Sequence, residues 1–239
     1  QIANEVPSEF KHIESIDFEH VWFSYDNNDV YALEDFTLSI KASEFVGIVG
    51  PSGSGKSTLL SLLMGLYKPT KGAIYINGID IANYDSSVLR HLMGYVFQQA
   101  YLFKGSIKDN LTLFDTSISY DDMVDAAKQV NLDSMIEQLP EGYHTPVGYL
   151  GSLLSDGQKQ LLAFGRTLIR KTPILLLDEA TANIDSHTEK QIQASIENIR
   201  GSKTIVSIAH RLSTVQDANK IVYMEYGKII EKGSFEELI

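Results

Sequence analysis

The chain has 239 residues, 44% of them hydrophobic, enough to bury the core of one large domain or of a domain with a subdomain. Its net charge of −11, with scattered Lys and Arg, lacks the basic footprint of a nucleic-acid binder. The absence of cysteine excludes disulfides and thiolate metal sites and fits a reducing compartment. The longest apolar stretch, residues 59–67, is far shorter than the ~18 residues that a membrane span needs. No charged-then-apolar signal segment opens the chain. It starts at Gln1 rather than Met and stops within a helical pattern at 235–239, so a piece of a longer protein is expected.

Residues 16–23 alternate apolar and polar, and with 35–41 and 72–77 they predict a small antiparallel sheet. Apolar runs of strand length follow at 45–49, 95–97, 174–177, 205–208 and 221–224. Helical patterns fill 56–66, 120–129, 157–170 and 186–199. Continuous apolar strands alternating with helices predict an α/β fold, its sheet mostly parallel and covered on both faces. From about 100 to 153 the pattern is helical without a strong strand, as for an insert in the α/β core.

The segment Gly50, Pro51, Ser52, Gly53, Ser54, Gly55, Lys56, Ser57 fits the phosphate-loop pattern G-x-x-x-x-G-K-[ST]. It follows a predicted strand and opens a predicted helix, as the chemistry requires. Glycines let backbone N–H groups wrap an anionic phosphate chain, and a helix N-terminus adds partial positive charge. Lys56 would reach the β- and γ-phosphates of ATP, with Ser57 on Mg²⁺ and Thr58 beside it. The alternative is a plain glycine-rich strand-to-helix turn.

A second signal is the apolar run 174–177 ending in Asp178 and Glu179. Ligands of open α/β sheets sit at the carboxyl ends of strands. Asp178 would then hold Mg²⁺, directly or through water, and Glu179 would polarise the water that attacks the γ-phosphate. Two acids after a strand also suit a solvated turn, so the pair gains meaning from the phosphate loop.

With these two motifs stands Leu154-Ser155-Asp156-Gly157-Gln158, upstream of the acidic pair. It resembles the LSGGQ signature of the ABC transporter ATPase family, and the resemblance covers essentially the whole chain. The family implies a P-loop NTPase core with a small N-terminal antiparallel β subdomain and a helical subdomain over about 100–165. All of 1–239 would form one nucleotide-binding domain. Tyr25 looks like the aromatic residue that stacks on adenine, and Gln98 like the Q-loop glutamine that meets Mg²⁺ or the attacking water. His210 resembles the switch histidine, and residues 182–185 the D-loop. Asp185 equally suits the N-cap of a helix from Ser186, and Tyr25 suits simple packing. Two family domains pack head to tail, so Ser155, Gly157 and Gln158 would contact the partner domain's nucleotide. In the reaction that the family implies, Glu179, His210 and Lys56 are the catalytic residues.

Residues 101–110, Tyr-Leu-Phe-Lys-Gly-Ser-Ile-Lys-Asp-Asn, resemble the LF-x-GSI-x-x-N run of ABC exporters. Those proteins carry transmembrane helices ahead of the ATPase domain, and the stretches 158–162 and 180–186 look most like bacterial multidrug types. The resemblance therefore implies a transmembrane domain in the same parent chain, with this domain at the cytoplasmic face of a bacterial membrane. Two positions depart from the pattern. Asp156 replaces the first glycine of the signature pair, and Tyr149 stands where exporters often have Glu. Asp156 leads to the expectation of a heterodimer in which Glu179 serves a competent site and this signature a weaker one. A homodimer that tolerates Asp156 is the alternative. A soluble ABC ATPase acting on nucleic acid is disfavoured by the acidic balance and by the lack of heptads between Ser57 and Leu154. A regulatory module that binds ATP without hydrolysis is disfavoured by the presence of Lys56, Asp178, Glu179 and His210.

Overall fold

The computed structural model describes residues 10, 12–26, 30–148, 151–179, 185–209 and 212–238. The chain divides into two compact units, one of Gln1–Gly94, Thr172–Glu179 and Arg200–Ile239, the other of Tyr95–Lys171 and Ala180–Ile199. Among the described residues no helix is long and apolar enough to cross a membrane.

The strands are β1 (Ser15–Phe23), β2 (Leu33–Lys41), β3 (Phe45–Val49), β4 (Lys71–Ile76), β5 (Ile79–Asp80), β6 (Met93–Val96), β7 (Ile174–Asp178), β8 (Thr204–Ala209), β9 (Lys220–Glu225) and β10 (Lys228–Gly233). They form a four-stranded sheet in the order β2-β1-β4-β5 and a six-stranded one in the order β10-β9-β3-β8-β7-β6. The smaller sheet is antiparallel, as the alternation in β1 predicts, with Ile16, Phe18, Val21 and Phe23 buried. In the larger sheet β3 runs parallel to β8 and β9, and β7 parallel to β8, while β10 folds back antiparallel on β9. Every residue of β3 and β8 is buried, which is why their sequences read as continuous rather than alternating. Fully burying each large apolar side chain there contributes about 1.5–3 kcal/mol.

Helix α1 (Lys56–Leu63) follows β3 and buries Leu59, Leu60, Leu62 and Leu63. It ends three residues before the predicted Leu66. Helix α2 (Ser86–Leu92) was not expected from the sequence. Seven residues show too little periodicity, and the N-cap Asp85, which accepts from the Ser87 amide at 2.9 Å, is the local signal for it.

The second unit holds α3 (Ile107–Thr112), α4 (Tyr120–Gln129), α5 (Asp133–Glu137), α6 (Asp156–Leu168) and α7 (Ser186–Ile199). Ile107, Leu111, Met123, Ala127, Ile136, Leu161, Phe164, Ile192 and Ile196 are buried in this unit. Ser106 with Asp109 and Ser155 with Gln158 close capping boxes at the starts of α3 and α6. Fully buried Asn110 ties the chain before α3 to the helix: it accepts from Phe103 N at 2.8 Å and donates to Phe103 O at 2.9 Å. Arg166 of α6 then donates to Asn110 O at 2.8 Å and to Tyr101 O at 3.0 Å.

Candidate functional site

After Val49 the chain turns through Gly50, Pro51, Ser52, Gly53, Ser54 and Gly55 before α1 starts at Lys56. Gly55 has φ 99°, and a Cβ there would lie 2.4 Å from Ala32 O, so both backbone and space demand glycine. As the N-cap of α1 it supplies no side-chain hydrogen bond, and the first amides of the helix are left to another acceptor. Ser54 Oγ, on a residue 2% exposed, has no hydrogen-bond partner among the described residues. Uncapped amides in a glycine-rich loop suit an anion with several oxygens.

Buried Lys56 folds back over the loop, and its Nζ donates to Gly50 O and Pro51 O, each at 2.8 Å. Burial pushes the ammonium pKa below the ordinary lysine value, and Glu179, then Asp178, oppose that shift by attraction. The two carboxylates thus act on Lys56 even though they lie more than a hundred residues along the chain.

Sheet topology explains the meeting. Val49, the last residue of β3, is in register with Ala209 of β8, and Ile208 of β8 is in register with Asp178, the last residue of β7. The three strands are parallel, so the glycine loop and the acidic pair leave the same edge of the sheet. One strand separates them, a spacing of about 10 Å. Glu179 adopts a left-handed backbone, φ 49°, and its N–H donates to Ile208 O at 3.1 Å. That conformation costs a non-glycine residue about 1–2 kcal/mol, and such strain concentrates at functional sites.

An open cleft of about 270 Å³ is lined by Tyr25, Ala32, Ser52, Gly53, Gly55, Lys56, Ser57, Thr58 and Glu179. Tyr25 is 54% exposed, yet its hydroxyl meets Thr58 Oγ1 at 2.9 Å and its ring stands edge-on to Phe23. Ala32 was not singled out from the sequence; nothing in an isolated alanine signals that its carbonyl abuts Gly55.

The second unit gathers the other candidates. Ser155 caps α6 by accepting from Gln158 N at 3.1 Å, and Gln158 returns the contact to Ser155 N at 2.9 Å. The exposed Asp156 carboxylate pairs with Lys159 Nζ at 2.9 Å. Gly157 is buried, and a Cβ on it would fall 2.4 Å from Thr188 Oγ1. Asp185 caps α7, accepting from His187 N and Thr188 N at 3.0 Å and from Thr188 Oγ1 at 2.7 Å. These bonds hold its carboxyl below the usual range, the Thr188 backbone N–H contributing most. Thr188 is therefore a link that sequence reasoning missed, because only a tertiary contact joins it to Gly157. Exposed Gln98 follows β6, and the preceding Phe97 O accepts from Gln160 Nε2 at 2.9 Å. His210, Tyr149 and residues 180–184 lie outside the described residues.

A family model described as ABC transporter matches residues 33–182. An ABC transporter ATP-binding protein of Streptococcus pneumoniae is 44% identical over 225 residues, covering 94% of this chain and 38% of its own length. A toxin RTX-III translocation ATP-binding protein of Actinobacillus pleuropneumoniae is 43% identical, over 94% of this chain and 32% of that protein. The structure of a bacterial Atm1-family ABC exporter with ATP bound superposes with a TM-score of 0.87 at 40% identity, over 95% of this chain and 39% of that one. The chain thus spans about a third to two fifths of the length of these relatives.

Proposed function

We propose that this chain, which belongs to the ABC transporter family of ATPases coupled to transport, works as the nucleotide-binding domain of a membrane exporter. One observation carries the reading: the Gly50–Gly55 turn and the Asp178–Glu179 pair leave one edge of a parallel sheet, with Lys56 in the field of both carboxylates.

In this reading the triphosphate of ATP lies along residues 50–58, over the uncapped start of α1, with the base on Tyr25. Ser57, Asp178 and Gln98 would hold Mg²⁺, which offsets phosphate charge when bound. Lys56 exchanges its carbonyl contacts for phosphate oxygens. Glu179 accepts a proton from water as the water oxygen bonds the γ-phosphorus and the β–γ bridging bond breaks, leaving ADP and phosphate. His210 is assigned a hydrogen bond to the γ-phosphate from its position after β8.

Residues 1–239 are read as one such domain, with a helical subdomain over about 100–165. Its transmembrane domain belongs to the same parent chain, and the nucleotide-binding domain itself lies at the cytoplasmic face of a bacterial cell membrane. The lengths of the relatives support a longer parent chain, because each extends well beyond the matched part. Ser155, Gly157 and Gln158 serve the ATP of a second ABC ATPase domain packed head to tail, with Asp185 beside them. A heterodimer is preferred, since Asp156 puts a carboxylate at the start of α6, where a phosphate would lie. Transport by a parent transporter containing this chain as its only ATPase subunit would refute that preference.

The reading as a whole is tested by phosphate release from ATP with Mg²⁺ present, using the purified chain and Lys56→Ala. We expect turnover by the wild type and loss of both ATP binding and turnover in K56A. Unchanged ATP binding by K56A would overturn the assignment of the loop.

A further inference from the structure

We infer that Tyr67 is a positioning residue for the purine base, holding the ring of Tyr25 in the orientation that receives it; this rests on the reading of Tyr25 as the base platform. Tyr25 is 54% exposed, and an exposed tyrosine would ordinarily sample several rotamers. Here it has three restraints. Phe23 packs edge-on at a centroid distance of 4.8 Å, Tyr67 edge-on at 5.3 Å, and Thr58 Oγ1 holds the hydroxyl at 2.9 Å. Phe23 is buried at the end of β1 and belongs to the core. Tyr67 is 46% exposed and packs its ring against Phe23 and Tyr25.

The placement has a consequence for binding. Thr58 lies in the first turn of α1 and Tyr67 lies just past its end, so the helix that opens at the phosphate loop also fixes the aromatic ring. Base and phosphate positions are then set by one element. Fixing Tyr25 before the nucleotide arrives removes part of the ordering cost of binding. With both neighbours in place Tyr25 keeps 54% of its surface exposed, and a purine ring would stack by offset on that exposed part.

The experiment uses the purified chain, calorimetric Kd values for ATP and for inorganic tripolyphosphate, and the variants Tyr67→Leu, Tyr67→Phe and Tyr25→Leu. We expect Y67L to weaken ATP about three- to tenfold, the scale of ordering one side chain, without changing tripolyphosphate affinity. Y67F keeps the ring and should bind both ligands like the wild type. If Y25L weakens ATP but Y67L does not, the role of Tyr67 is refuted and the platform stands. If Y25L binds ATP like the wild type, the platform itself is refuted. Equal weakening of ATP and tripolyphosphate by Y67L would show that Tyr67 supports the phosphate loop instead, which also overturns the inference.

Discussion

Thr188 occupies the space that a side chain on Gly157 would need: its Oγ1 and Cγ2 lie 2.4 and 2.7 Å from where that Cβ would sit. Its hydroxyl is held in turn by Asp185 at 2.7 Å. The second residue of α6 and the first turn of α7 therefore share one contact.

Gly157→Ala should destabilise the chain by about 1–3 kcal/mol, the cost of overpacking a well-packed site. Thr188→Ala gives up the Asp185 hydrogen bond but makes room. The double variant should be more stable than the sum of the single effects predicts. Urea unfolding of the four proteins measures this. Strict additivity would mean that the two residues do not press on each other.

Lys56 has to be protonated to attract phosphates, and its burial moves the loss of that proton to a pH below the ordinary lysine value of 10.5. ATP affinity should accordingly fall with rising alkalinity at a lower pH than the titration of an ordinary lysine would bring about. Lys56→Arg keeps its charge throughout. Its affinity, though lower at neutral pH, should stay flat. Binding isotherms across the alkaline range check both slopes, and parallel declines in the two proteins would contradict the account.

Arg166 spreads its fork over three acceptors, Asn110 O, Asn110 Oδ1 and Tyr101 O, between 2.8 and 3.2 Å. Lysine cannot reproduce that planar geometry. Arg166→Lys should cost about 2 kcal/mol, given that each hydrogen bond to a charged group contributes roughly 1.5–3 kcal/mol. The urea midpoint should fall with the slope unchanged. A midpoint equal to that of the wild type would show that the fork adds nothing.

The inner strands β3, β7 and β8 of the larger sheet were legible because burial on both faces selects continuous apolar runs, whereas the edge strand β10, mostly exposed, has no such run and was missed. The phosphate loop was legible because its glycines answer a local backbone demand, seen at Gly55. Helix α1 stops early for a reason that the apolar pattern hides: Gly65 takes φ 68° and packs where a Cβ would meet Leu89 Cδ1 at 2.6 Å. Helices α3 and α5, of six and five residues, are too short to show a helical period. The convergence of Glu179 on Lys56 could be suspected from the motifs, but the reason for it is strand order, with β8 between β3 and β7. The contact between Thr188 and Gly157 could not be read at all, since neither residue type signals the other.

The most direct test of the central claim is steady-state phosphate release by Glu179→Gln, measured beside its affinity for ATP. The amide keeps the shape of the carboxylate but cannot accept the proton from water. Turnover should fall at least about a hundredfold, with ATP bound as tightly as by the wild type. Turnover close to that of the wild type would contradict that claim.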